Sequence, residues 1–269
     1  MTGLIDTHCH LNFEVFQQDL AEVIHRANES GITKMINPAV DLETSQEILS
    51  IAEKFTQVYA AVGIHPNSAK SWHEDTIEHL TKFGHHPQVV AIGEIGLDFY
   101  RDEAPPDLQL QIFVKQLELA ENLQLPVIIH NRSATQEVLA VLSDYVQQLK
   151  SSKSSMADRP GVLHSFSADV EAASQALDMN FLIGITGPVT FKNAAMVQQV
   201  VREVPLDSLL IETDSPFLTP HPYRGKRNEP AYVRYVAEKI AELKDRSVDE
   251  VGMITSQNAE RLFGWSVLA

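Results

Sequence analysis

The sequence predicts a (β/α)8 barrel, the TIM-barrel fold in which eight parallel strands alternate with helices. Short apolar runs alternate with segments of helical periodicity along the whole chain. The length of 269 residues is near that of a typical barrel of this class. A doubly wound open sheet is the structural alternative. It usually has a glycine-rich nucleotide turn after the first strand, where this chain has His8-Cys9-His10.

The predicted strands are the short apolar runs that have the composition of buried parallel strands. They are residues 4–7, 34–37, 58–62, 89–93, 127–129, 161–163, 181–185 and 209–211. Each is followed by a segment with helical spacing of its apolar residues. We therefore expect one domain that spans residues 1–269.

The predicted helices follow from the 3.6-residue periodicity of these intervening segments. They are residues 19–30, 44–55, 75–83, 107–123, 133–149, 170–177, 194–201, 231–243 and 248–263. Gly31 ends the first helix. Ser133 with Gln136, and Ser247 with Glu250, have the spacing of capping boxes and predict two helix N-termini.

The composition is that of an ordinary globular protein with a strongly acidic balance. Twenty-one Lys and Arg against 36 Asp and Glu give a formal charge of −15, which excludes broad coating by a polyanion. The single cysteine, Cys9, excludes an intramolecular disulfide and agrees with a reducing compartment. No apolar run approaches the roughly 18 residues of a membrane span, and a signal peptide is not evident at the N-terminus. These observations predict a cytoplasmic protein without membrane contact.

The first predicted strand leads into two histidines one residue apart. Side chains alternate along an extended strand, so His8 and His10 share a face while Cys9 points away. Cys9 is therefore interpreted as a packing residue. The two imidazoles on one face predict a pair of metal ligands.

Metal-type side chains recur where the other predicted strands end. In a barrel these ends lie on one face, where the chemistry of the fold is found. The full set is His8, His10, His65, Glu94, His130, His164 and Asp214. Such a set at one end of separate strands indicates a functional site rather than unrelated structural residues.

Imidazole and carboxylate ligands suit divalent ions such as Zn²⁺ and Mn²⁺, and carboxylate with water also admits Mg²⁺. Four histidines, one Glu and one Asp exceed what a single catalytic ion needs. We therefore predict two divalent ions, with Glu94 able to bridge them through its two oxygens. Hydrolysis is the expected reaction, because such ions activate water at neutral pH.

The motifs around these residues resemble the TatD family of metal-dependent deoxyribonucleases, within the amidohydrolase-like superfamily. The motifs that carry the resemblance span nearly the whole chain in order: Asp6-Thr-His-Cys-His10, Gly63-Ile-His-Pro66, Gly93-Glu-Ile-Gly-Leu-Asp98, Pro126-Val-Ile-Ile-His-Asn-Arg132, His164-Ser-Phe-Ser167, Gly187-Pro-Val-Thr-Phe-Lys-Asn193, Glu212-Thr-Asp-Ser-Pro216 and Arg224-Gly-Lys-Arg-Asn-Glu-Pro230.

The resemblance implies a role for each residue of the predicted site. It implies that one ion is held by His8, His10, Asp214 and Glu94. It implies that His130 and His164, with the same Glu94, hold the second ion. Asp214 would accept the proton of the attacking water, and His65 would act beside the ions as an acid/base group or a contact to the substrate phosphate.

Basic residues near the predicted site suggest how an acidic protein holds a nucleic-acid end. Arg132 follows His130, and Arg224, Lys226 and Arg227 form a basic cluster after the eighth strand. Arginine suits bidentate contact with phosphate, so we interpret these four residues as substrate-binding. Arg101 is a weaker candidate. Tyr100 and Phe99 suggest base stacking, although packing against a helix is the better interpretation of Phe99.

The leading hypothesis is a deoxyribonuclease that trims DNA from the 3′ end with a preference for single strands, as the resemblance implies. It would act as a monomer on DNA ends, without an obligate protein partner. A metal-dependent deacylase or amidohydrolase, such as a D-aminoacyl-tRNA deacylase, is the second hypothesis, because the barrel supports many hydrolyses. A non-enzymatic scaffold stabilised by metal is the third.

Overall fold

The computed structural model describes residues 3–265 and confirms the predicted barrel. Eight parallel strands lie side by side in chain order, and each neighbouring pair from the first strand to the eighth is hydrogen-bonded. The strands are β1 (Leu4–Asp6), β2 (Ile32–Pro38), β3 (Val58–Val62), β4 (Val89–Asp98), β5 (Val127–Arg132), β6 (Gly161–Leu163), β7 (Leu182–Ile185) and β8 (Leu209–Ile211).

The sheet is closed between its first and last strands by the residues that follow them. The backbone N–H of Asp214 donates to the carbonyl of His8 at 2.9 Å, and that of His10 donates to Ser215 at 2.8 Å. Cys9 and Ser215 form an isolated parallel bridge. The closure therefore brings the His8-to-His10 segment next to Asp214, although some 200 residues separate them in the chain.

Helices pack around the sheet between the strands. Within residues 3–265 they are α1 (Leu20–Glu29), α2 (Leu42–Lys54), α3 (Thr76–Gly84), α4 (Pro106–Leu123), α5 (Thr135–Ser151), α6 (Val170–Asp178), α7 (Ala195–Glu203), α8 (Val233–Lys244) and α9 (Val248–Phe263). None of the helices in this part of the chain is long and apolar enough to cross a membrane.

An apolar layer inside the barrel lies below the polar strand ends. Ile128, Val162 and Leu210 belong to a buried cluster that also contains the end of α9. Side chains alternate along a strand, so the residues two positions further on, among them His130 and His164, point to the same side. The site is therefore built on top of a packed apolar core.

The main difference from the predicted elements is in β4. The prediction ended this strand at residue 93, whereas β4 continues to Asp98, and its pairing with β5 shifts register between Ile92 and Ile95. Glu94 consequently lies within the strand rather than at its end. Asp98 occupies the end and is buried beside the site.

The two predicted capping boxes have different outcomes. The prediction at Ser133 is wrong, because α5 begins at Thr135 and its N-cap residue is Ala134, without a side-chain cap. Ser133 itself has a φ of 57°, which turns the chain before the helix. Ser247 does cap α9, since its hydroxyl accepts from the backbone N–H of Glu250 at 3.1 Å.

The capping difference predicts different stabilities for two serine variants. Ser247→Ala removes an acceptor for an N-terminal N–H of α9, so the free energy of unfolding is expected to fall by about 1 kcal/mol. Ser133→Ala removes no cap and keeps a side chain with a Cβ, so its stability is expected to match the wild type. Urea denaturation of the two variants measures both values, and equal losses would contradict the assignment.

Candidate functional site

The predicted metal-type residues converge on one pocket at the carboxyl ends of the strands. The pocket has a volume of about 610 Å³ and is lined by His10, His65, Glu94, His130, His164 and Asp214, among others. His8 lies next to them and is fully buried. The structure therefore brings together all seven side chains that the sequence singled out.

The first group of potential ligands consists of His8, His10 and Glu94. The Nε2 atoms of His8 and His10 lie 3.3 Å apart. Oε2 of Glu94 lies 3.4 Å from Nε2 of His8 and 3.8 Å from Nε2 of His10. Within this group the three atoms face one another, and all three residues are buried.

The second group consists of His8, His164 and Asp214. Oδ1 of Asp214 lies 3.7 Å from Nε2 of His164 and 3.9 Å from Nε2 of His8. The imidazole rings of His8 and His164 are stacked, with 3.3 Å between their centroids. The same Asp214 oxygen also lies 3.5 Å from Nε2 of His10, so the second group adjoins the first.

The third group consists of His65, Glu94 and His130. Nδ1 of His130 lies 2.7 Å from Oε1 of Glu94, and its Nε2 lies 3.2 Å from Oδ2 of Asp98. Nε2 of His65 lies 3.8 Å from Oε1 of Glu94. The two oxygens of Glu94 thus serve different groups, as expected of a bridging carboxylate.

The spacing of these donor atoms fits a metal centre. Ligand atoms about 2.1 Å from one ion at tetrahedral angles are separated by about 3.4 Å. The separations within the first two groups, 3.3 to 3.9 Å, are close to this value. Imidazole with carboxylate is also the ligand chemistry of divalent transition metals. The number and identity of the ions stay predictions.

The grouping differs from the expected division into two ligand sets. His164 lies with His8 and Asp214, whereas His130 lies with Glu94 and His65. The expectation placed His130 and His164 together around the second ion. In the structure Oε1 of Glu94 contacts His130, whereas Nε2 of His164 lies 3.7 Å from Oδ1 of Asp214.

Hydrogen bonding sets His65 apart from the other histidines of the site. Its Nδ1 accepts from the backbone N–H of Asn67 at 3.1 Å. A neutral ring that accepts at Nδ1 carries its proton on Nε2. Nε2 is also the atom that faces Glu94 and the pocket. His65 is therefore arranged to donate a hydrogen bond into the pocket, and its role beside the ions stays a prediction.

Sequence reasoning did not assign a role to Glu212. This buried carboxylate lies 2.9 Å from Nδ1 of His164 and accepts from the backbone N–H of Ser165 at 3.0 Å. It therefore orients His164 so that Nε2 faces Asp214, as carboxylates behind metal-bound histidines do. A Cβ on Gly184 would overlap the Glu212 carboxylate. The signal that the sequence offered for Glu212 was a charged residue directly after a predicted buried strand.

Asp6 is a second carboxylate whose role the sequence did not reveal. It accepts from the backbone N–H of Thr213 at 2.9 Å and from the Thr213 hydroxyl at 2.6 Å, and it also accepts from the N–H of His8 at 3.3 Å. Burial raises the pKa of Asp6 to about 8. The side chain therefore ties the residues that follow β1 to those that follow β8.

Carboxylate partners and burial shift the pKa values of the site's histidines in opposite directions. Burial lowers the pKa of His130, but its bonds to Asp98 and Glu94 outweigh burial and raise that pKa to about 9. Glu212 likewise overcomes the effect of burial on His164 and raises its pKa to about 9. Burial dominates at His65, whose pKa falls to about 3. Without metal, two imidazoles are therefore protonated at neutral pH.

The metal-free protein is expected to lose thermal stability as pH rises from 6.5 to 9. Imidazoles of the unfolded chain titrate near pH 6.5, whereas His130 and His164 keep their protons to about pH 9 when folded. The folded state therefore binds more protons in this window, and raising the pH favours unfolding. The stabilisation is fully present below pH 6.5 and is lost as pH passes 9.

Thermal melts of chelated protein measure this dependence, and we expect Tm to fall by about 5 °C across the window. Binding of a divalent ion requires neutral imidazoles, so the rise in Tm on adding Mg²⁺ is expected to grow with pH. A Tm of the chelated protein that is constant or increases over the same range would contradict the prediction.

The basic residues occupy two different environments. Arg101 and Arg132 line the pocket. The guanidinium of Arg132 lies 3.9 Å from the ring centroid of Tyr100, whose side chain is exposed to solvent. Phe99 packs against the core, as the sequence indicated. The pocket thus contains two positive charges next to the acidic cluster.

The cluster after β8 divides into two parts. Arg224 and Lys226 are exposed and lie over the rings of Phe191 and Tyr223, respectively. Arg227 instead donates to both carboxylate oxygens of Asp19, at 2.8 and 2.7 Å, and to Glu229 at 2.8 Å. This placement argues against the predicted substrate contact of Arg227, because its terminal nitrogens already pair with carboxylates and hold the loop against α1.

Comparisons with known proteins extend over nearly the whole chain. The profile of the family described as TatD related DNase matches residues 5–264. The metal-dependent hydrolase YabD of Bacillus subtilis is 44% identical over 260 residues, which cover 97% of this chain and 98% of YabD. YcfH of Escherichia coli, also named a metal-dependent hydrolase, is 36% identical over 263 residues, which cover 97% and 95%. The crystal structure of the TatD homologue YjjV of Escherichia coli has a TM-score of 0.90 at 31% identity and 98% coverage of both chains.

Proposed function

Since the chain belongs to the TatD family of metal-dependent hydrolases, we propose that it hydrolyses phosphodiester bonds at the 3′ end of single-stranded DNA. The observation that supports this proposal is the presence of cations and metal ligands in one pocket: Arg101 and Arg132 line the same cavity as Glu94 and Asp214. Both kinds of group suit a phosphodiester, because metals and guanidinium groups neutralise its charge.

The chain offers ligands for two divalent ions in overlapping groups. His8, His10, Glu94 and Asp214 would hold one ion, with Glu94 shared by the second. The further ligands proposed for the second ion are His130, which contacts Glu94, and His164, which lies near Asp214. When bound, such ions supply Lewis-acid activation of water and of the phosphate group, for which Mg²⁺, Mn²⁺ and Zn²⁺ are the candidates.

Protein side chains would then accept the proton of the water and hydrogen-bond the departing oxygen. Asp214 is the open member of the carboxylate pair, with a side chain 17% exposed against 4% for Glu94. A water molecule can therefore reach Asp214, and we propose that it accepts the proton of the attacking water. His65 presents Nε2–H to the pocket and would donate a hydrogen bond from it to the departing oxygen.

Basic side chains would hold the phosphates of the DNA end at two distances from the metal ions. Arg132 and Arg101 line the pocket and would contact the phosphate next to the bond that is cut. Arg224 and Lys226, on the exposed loop after β8, would contact phosphates further along the strand. Local contacts of this kind let a monomer with a formal charge of −15 hold a polyanion by its end.

The proposal is tested with metal-stripped protein that is reloaded with Mg²⁺, Mn²⁺ or Zn²⁺. Each form is incubated with single-stranded DNA labelled at its 5′ end, and parallel incubations contain duplex DNA, RNA and D-aminoacyl-tRNA. We expect a ladder of products that shortens stepwise from the 3′ end of single-stranded DNA, and only with metal. Absence of nucleotide release with every metal, together with deacylation of the tRNA, would replace the nuclease by a deacylase.

A further inference from the structure

Phe217 presents an exposed aromatic ring at the pocket that holds the metal-type residues. The residue is 52% exposed and lines the same cavity as His10 and Asp214. Of the large hydrophobic residues exposed within residues 3–265, Phe217 and Tyr100 are the two aromatic ones. Tyr100 supports Arg132, which also lines the pocket. The two exposed hydrophobic rings of residues 3–265 therefore lie in this pocket and next to one of its arginines.

Contacts with the metal-ligand segment hold the Phe217 ring in place. The rings of His10 and Phe13 are stacked, with centroids 4.7 Å apart, and Phe13 meets Phe217 edge-to-face at 5.8 Å. The backbone N–H of Phe217 also donates to the carbonyl of Asp214 at 2.8 Å. Phe217 is consequently preorganised beside two of the proposed ligands, while more than half of it faces solvent.

A partner for this surface must combine a planar apolar group with a negative charge. The ring of Phe217 offers a stacking surface, and Arg132 and Arg101 offer positive charge in the same cavity. A nucleotide has this combination, because its base is a flat aromatic group and its phosphate is anionic. Stacking of bases on protein aromatic rings is a common basis of single-strand binding without sequence preference.

We infer that Phe217, supported by Phe13, stacks on the nucleobase at the DNA end and thereby positions the adjacent phosphodiester at the metal ligands. This inference depends on the proposed hydrolysis of single-stranded DNA and adds the residue that recognises the base. It also explains a preference for single strands, since a terminal base must leave its duplex partner to reach the ring.

The inference is tested by removing the ring and the base separately and together. Wild type, Phe217→Ala and Phe217→Trp are compared on two oligonucleotides that differ only in whether the 3′-terminal nucleotide carries a base or an abasic tetrahydrofuran. We expect Phe217→Ala to lose roughly tenfold in kcat/KM on the intact end, mainly through KM. On the abasic end, kcat/KM of Phe217→Ala is expected to be less than twofold below that of the wild type. Phe217→Trp is expected to retain the preference for the intact end.

Met253→Ala is the matched control, because Met253 is an exposed apolar residue of α9 outside the pocket. It is expected to act like the wild type on both oligonucleotides. Equal losses of Phe217→Ala on the intact and abasic ends, or no loss on either, would overturn the inference.

Binding separates failure of the inference from failure of the proposed function. Fluorescence anisotropy measures the affinity of metal-stripped protein for the same two oligonucleotides without cleavage. The inference is supported if Phe217→Ala binds the intact end more weakly than the wild type does but binds the abasic end equally well. This holds even if the wild type releases no nucleotide, because that result would count against the nuclease activity and not against base stacking. If the wild type bound the intact and the abasic oligonucleotide with equal affinity, the inference would be overturned, whether or not DNA is cleaved.

Discussion

Glu94→Gln is expected to lower kcat/KM on single-stranded DNA by about 10³-fold while leaving the barrel folded. Glu94 contributes to two of the three ligand groups, through Oε2 near His8 and through Oε1 at 2.7 Å from His130. Glutamine has nearly the same volume, but it offers only one neutral carbonyl oxygen, and its NH2 group cannot coordinate a cation. The variant therefore removes the bridging charge and keeps the packing.

Three measurements check this prediction. They are kcat/KM in the presence of Mg²⁺ or Mn²⁺, bound metal determined by elemental analysis, and the thermal melt. Glu137→Gln is the matched control, since Glu137 is exposed on α5, away from the pocket. We expect the control to retain wild-type activity and metal content. If Glu94→Gln kept both as well, Glu94 would not be a metal ligand.

Gly96→Ala is expected to destabilise the protein by about 3 kcal/mol or more and to abolish activity. Gly96 has a φ of 140°, which L side chains rarely adopt, and it pairs with His130 across β4 and β5. An added Cβ would overlap the carbonyl oxygen of His130 and lie 3.0 Å from its carbonyl carbon. The two strands must therefore separate, and His130 would move away from Glu94.

A second glycine separates steric overlap from backbone strain. Gly225 has a φ of 86°, but a Cβ at this position would meet no atom within 4 Å. Gly225→Ala is therefore expected to lower the free energy of unfolding by only about 1 kcal/mol, because alanine is less favourable than glycine at a positive φ. Chemical denaturation and kcat/KM of both variants test the comparison. Equal destabilisation of the two would show that the contact with β5 is unimportant.

The sequence by itself was sufficient to predict the fold and to identify the set of metal-type residues. Apolar runs that alternate with helical segments predict the barrel, because each run needs two covered faces. The period of two along a strand predicts that His8 and His10 share a face. The common end of parallel strands predicts that residues as distant as His10 and Asp214 meet, and the structure brings them to 3.5 Å.

Only the tertiary structure decided which partners these residues have. The length of β4 depends on its pairing with β5, so the location of Asp98 beside His130 could not be derived from local pattern. Arg227 was predicted to bind phosphate, but the distant Asp19 and the nearby Glu229 accept hydrogen bonds from its guanidinium. The sequence around a charged or aromatic residue does not reveal whether its side chain is paired with another group or exposed to solvent. The long-range contacts that pair Arg227 and leave Phe217 exposed exist only in the closed barrel.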